Sequence, residues 1–109
     1  MTYYPEAYRW LVITQPDDSI VIKVFASWTG SYLHGDSWKL NSGCLRIEEN
    51  EDELIVHGYS GSTYVLDKND QGRLTSFTAS VLDDMLTRLE GIGKLISYEE
   101  VKEIIKGLI

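Results

Sequence analysis

Half-cystine, proline and long apolar runs are nearly missing from this chain. The single cysteine, Cys44, excludes an internal disulfide, and Met1-Thr2-Tyr3-Tyr4-Pro5-Glu6 lacks the basic and apolar regions of a secretion leader. A reducing, cytoplasmic location is therefore expected. The longest apolar candidate, Ile20 to Ala26, contains Lys23 and falls far short of the roughly 20 residues a bilayer requires, which argues against a membrane partner. Basic residues are also scarce. Ten Lys plus Arg stand against seventeen Asp plus Glu, a net charge of −7 that repels phosphate backbones and disfavours nucleic acid. No repeat, low-complexity tract or Pro/Ser-rich linker divides the chain, so residues 1–109 read as one domain.

What is present suffices for a core. Hydrophobic residues make up 43% and charged residues 25%, away from the profile of disordered chains. Tyr8 to Thr14 and Ile20 to Ala26 are rich in β-branched and aromatic residues, and the Pro16-Asp17-Asp18 turn between them suggests a hairpin. Ile20, Ile22 and Val24 alternate with Val21, Lys23 and Phe25, so both faces of this pair can be covered. A short strand is expected at Ser37 to Leu40. Further strands are expected at Cys44 to Glu48, with Leu45 and Ile47 inward, at Glu53 to His57 and at Ser62 to Asp67.

Near Thr78, read as an N-cap, the period becomes helical. Val81, Leu82, Met85, Leu86 and Leu89 form one stripe, and Gly91 is a natural stop. Ser97 and Glu100 form an S-x-x-E capping box ahead of a second stripe, Val101, Ile104, Ile105 and Leu108. Gly91-Ile92-Gly93-Lys94 reads as the helix connection. The expected class is α+β: an antiparallel hairpin meander of about five to six strands in residues 8–67, then two C-terminal helices packed on one face.

Chemical motifs are weak. Gly58-Tyr59-Ser60-Gly61-Ser62 resembles a nucleophile elbow only at a glance, since its glycine and serine positions do not match G-x-S-x-G and a strand follows it. Asp67-Lys68-Asn69-Asp70-Gln71-Gly72 opens with calcium-loop spacing, but Thr78 stands where a bidentate Glu is required. His34, His57 and Cys44 have no zinc spacing. No catalytic residue, metal site or cofactor is assigned, and an enzyme is less expected than a binding protein.

Two stretches carry binding character. Trp28, Tyr32, His34, Asp36 and Trp38 combine aromatic and polar groups in a glycine-punctuated segment, where Trp28 and Trp38 serve either as a binding surface or as core plugs. Tyr59 and Ser60 can join them if the Gly58 to Gly61 bend lies nearby. Glu48-Glu49-Asn50-Glu51-Asp52-Glu53 is a dense acidic tip that serves either as a plain solvated turn or as a docking site, with Glu49, Glu51 and Asp52 as candidate contacts for a basic protein partner. The expected function is a non-enzymatic interaction module of inhibitor, immunity or adaptor type. The alternative is a ligand-binding or enzymatic domain walled by the glycine-rich segment, with His34, Asp36, His57 and Ser60 converging. An edge strand such as Tyr8 to Thr14 offers a route to a homodimer.

Overall fold

The computed structural model describes residues 1–30, 35–68 and 72–108. Along them run β1 (Thr2–Tyr3), β2 (Ala7–Thr14), β3 (Ile20–Trp28), β4 (Ser37–Leu40), β5 (Cys44–Glu49), β6 (Glu53–Gly58), β7 (Thr63–Asp67), α1 (Ser76–Arg88), β8 (Gly93–Ile96) and α2 (Tyr98–Leu108). The class is α+β. The strands form two four-stranded sheets in place of one meander: β1-β7-β6-β5 and β4-β3-β2-β8. All described pairings are antiparallel except β1 on β7.

The β2–β3 hairpin forms because its turn is chemically specified. Asp18 takes a positive φ of 68°, which Asp tolerates better than most residues. Asp17 Oδ1 accepts hydrogen bonds from the Ser19 amide (3.0 Å) and hydroxyl (2.6 Å). Alternation along the two strands then sends Tyr8, Trp10, Ile22, Val24 and Ala26 to one face, and Leu11 and Phe25 to the other. The first face packs on Leu54, Val56, Tyr64 and Leu66 of the other sheet and on Val101 of α2. The second is covered by Leu82 of α1 with Val81, Met85 and Leu86 around it. Each such buried aliphatic side chain contributes about 1.5–3 kcal/mol before entropic costs.

The helices therefore lie on opposite faces of the second sheet, not side by side on one. The cause is β8, in the segment expected to be a plain connection. Leu95 and Ile96 pair with Leu11 and Trp10, so the chain crosses the sheet edge as a strand between its two helices. This also moves β2 inside: the strand expected at an edge has β3 on one side and β8 on the other.

Two local corrections have simple causes. Helix α1 begins three residues earlier than expected, because Thr75 is the N-cap and Thr78 its reciprocal partner. Thr75 Oγ1 accepts from the Thr78 amide at 3.1 Å, and Thr78 Oγ1 accepts from the Thr75 amide at 2.9 Å. In β5 the register shifts between Cys44 and Arg46. This bulge turns Leu45 outward, to 63% exposure, while Cys44 and Ile47 pack against the core. The capping box of α2 is as expected, with the Ser97 amide to Glu100 Oε1 and the Glu100 amide to Ser97 Oγ both at 3.2 Å.

Candidate functional site

The aromatic segment is divided between folding and surface. Trp28 packs against the core, its Nε1 donating to the Tyr4 carbonyl at 3.0 Å and its ring meeting Tyr3 edge-on at 6.1 Å. Trp38 projects on the other side of the sheet and stacks on buried Phe25 at 5.6 Å, yet keeps 38% exposure. The two reach one shallow depression of about 230 Å³ with Tyr3, Ser37 and Lys39. Asp36 is a structural tie: its Oδ1 accepts from the Gly30 amide at 3.0 Å, which holds its carboxyl below the usual range, with help from the Thr75 hydroxyl. Tyr32 and His34 lie outside the described residues.

The acidic tip is built by Asn50. Its Oδ1 accepts from the Asp52 and Glu53 amides at 3.0 and 2.7 Å, and its amide donates to the Glu53 carbonyl at 3.0 Å. Glu49 differs from its neighbours. It accepts 2.7 Å from Lys68 Nζ and 2.6 Å from the Tyr98 hydroxyl, joining the first sheet to α2. The Lys68 bond leads in holding the Glu49 carboxyl below its ordinary range, while burial and then the bond to Glu49 push the Tyr98 phenol up. Glu51, Asp52 and Glu53 have no ion-pair partner among the described residues, and with Asn50 and Asp67 they line an open depression of about 490 Å³.

Tyr59 and Ser60 lie in the turn at the other end of β6, which holds six residues, so about 20 Å of strand separates them from the tip. Their turn docks on the one before β5: the Tyr59 amide donates to the Gly43 carbonyl (3.1 Å) and the Ser60 amide to Ser42 Oγ (2.9 Å). Gly43 is required there. Its φ is 131°, and a Cβ would lie 2.8 Å from the Tyr59 ring and 2.9 Å from Val21. Tyr59 thereby becomes the rim of an apolar groove of about 330 Å³ between β3, β5 and α2, walled by Val21, Ile22, Ile47 and Ile105 among others. Sequence reasoning missed this groove, because Ile105 reads as helix core and Leu45 as an inward strand residue.

No family model, curated protein or solved structure matches the chain.

The remaining reactive groups do not converge. Cys44 sits in the groove wall with its thiol pushed up to about 11 by burial, so it is protonated at neutral pH and a poor nucleophile. Asn41 Nδ2 approaches its sulfur at 3.7 Å. His57 is half-buried across from Arg46, its Nε2 at 3.6 Å from Glu48 Oε2, an ion-pair distance too long for a hydrogen bond. Among the described residues no three His, Cys, Asp or Glu side chains come together to hold a metal ion, and no helix is long and apolar enough to cross a membrane.

Proposed function

We propose that this chain is a non-enzymatic interaction module that docks a basic protein through the β5–β6 tip. The observation that carries this reading is the contrast within the tip: Glu49 is ion-paired with Lys68, whose Nζ also reaches the Asn50 carbonyl at 3.3 Å, whereas Glu51, Asp52 and Glu53 are held on the same hydrogen-bonded turn with no ion pair of their own among the described residues. Three like charges on a preorganised turn repel one another and gain nothing for the isolated fold. A cationic partner removes that cost and finds the carboxylates already positioned. Their failure to converge on a metal-binding geometry favours a broad basic surface over a single ion. Trp28 and Asp36 are committed to folding, so of the aromatic segment's described candidates only Trp38 is left to contribute contact area. A pocket uniting His57, Ser60 and Asp36 has no support, since the depression at that segment contains none of them.

The test is a titration with a Lys/Arg-rich peptide of about ten residues, followed by NMR. Shifts should concentrate at residues 49–53 and 67, and the triple variant Glu51→Gln, Asp52→Asn, Glu53→Gln should weaken binding about tenfold or more at low salt. Equal affinity in the triple variant, or shifts spread evenly over the surface, would refute the tip as the docking site.

A further inference from the structure

The groove at the opposite end of β6 has a chemistry opposite to that of the acidic tip. Its lining contains no carboxylate, in a chain with seventeen Asp plus Glu, and its one fully charged side chain is Arg46. Three large exposed hydrophobics converge on its rim: Ile20 at 44%, Leu45 at 63% and Tyr59 at 63%. Leu45 stands there because of the β5 bulge, and Tyr59 because Gly43 lets its ring approach. Both devices place apolar surface in water where an ordinary strand and turn would have hidden it, and clustered apolar exposure of this kind marks a binding surface.

Volume and charge narrow the occupant. About 330 Å³ falls at the lower end of the range for small-molecule sites, roughly 300–1,000 Å³. The inner walls are branched aliphatic side chains, which suit a flexible hydrocarbon chain. Arg46 uses one terminal nitrogen on Glu48, at 3.2 Å in an exposed pair of small net value, and its other donors have no partner among the described residues. A guanidinium at the mouth of an aliphatic groove matches a carboxylate at the end of an aliphatic chain. Lys23 lies close enough to act on Cys44 in the groove wall and adds to the local positive field.

We propose that this groove binds a free aliphatic monocarboxylate, with its chain between β3, β5 and α2 and its carboxylate on Arg46. The site is separate from the acidic tip and does not depend on it.

Decanoate, used below its micellar concentration, is the probe. Calorimetry should show one saturable site per chain, and bound decanoate should shift the NMR methyl signals of Val21, Ile22, Ile47 and Ile105 in the groove wall. Arg46→Gln, an exposed change compatible with folding, should weaken decanoate about tenfold and leave decanol unchanged. Ile20→Ser, also at the exposed rim, should weaken both. Decanol binding the native chain as tightly as decanoate overturns the anion assignment. Decanoate that does not bind, or that binds without shifting these methyl signals, overturns the site. Binding to anionic vesicles without binding of free decanoate, or a dimer in sedimentation that Leu45→Ser dissociates, gives the groove to a lipid surface or to a second copy and equally overturns the proposal.

Discussion

The two ends of β6 show how one strand can support opposite surfaces. At its start, the tip is specified by hydrogen bonds: Asn50 fixes the backbone, and charge is arrayed outward. At its end, the turn is specified by shape: Gly43 makes room for a ring, and the β5 bulge turns a leucine outward. Polar order needs no cavity and survives at the surface. Apolar order needs walls, so the groove forms only where both sheets and α2 meet. The tip should therefore respond to charge and salt, and the groove to side-chain volume.

The strongest way to break this contrast is to remove what both ends share. Leu54 is buried directly behind the tip in the common core, and Leu54→Ala should destabilise the fold by about 2–5 kcal/mol in urea titration, abolishing both surfaces together near the midpoint. Ionic strength should then separate them. Raising salt from about 0.05 to about 0.5 M should weaken a basic peptide at the tip at least about tenfold, against about twofold or less for decanoate in the groove, both read by calorimetry. A smaller difference is expected in stability. Ile105→Ala should cost about 1–2 kcal/mol, less than a fully buried site because Ile105 is half-buried, while Asp52→Asn should change stability by less than about 0.5 kcal/mol.

The smallest effect concerns pH. The Glu49 carboxyl is held below its ordinary range in the folded chain, so its ties to Lys68 and Tyr98 stabilise at neutral pH and are lost as pH falls through the lowered folded value. The difference in Tm between the native chain and Glu49→Gln should stay constant above about pH 5 and close on acidification. A gap independent of pH would mean that the Glu49 contact stabilises without its charge.

Legibility followed the range of the determining interaction. The change from strand to helix period, the α2 capping box and the two-sided β2–β3 hairpin all rest on neighbours a few residues apart, and all are read directly from the chain. The division into two sheets depends on which distant strands pair, so the same strands fit one meander equally well on paper. β8 escaped because Gly93-Lys94-Leu95-Ile96 is short and begins with glycine. It is a strand only because β2 supplies the partner. The acidic tip was visible as composition, but the separate role of Glu49 was not, since Lys68 and Tyr98 lie 19 and 49 residues away. The groove was hidden by the bulge: alternation assigns Leu45 inward, and a single shifted residue reverses it.

The position of β8 also sets an order of events in time. Trp10 and Leu11, among the most deeply buried residues, find their second strand partners only at Ile96 and Leu95. During synthesis, β2 and β3 can pair as soon as they emerge, but the open edge of β2 remains unmatched until β8 has been made. Folding of this domain is thus closed by β8 and α2, through contacts of high sequence separation. A ribosome stalled before Leu95 should hold a hairpin that a protease can still cut, and a protected domain should appear only once α2 has cleared the exit tunnel.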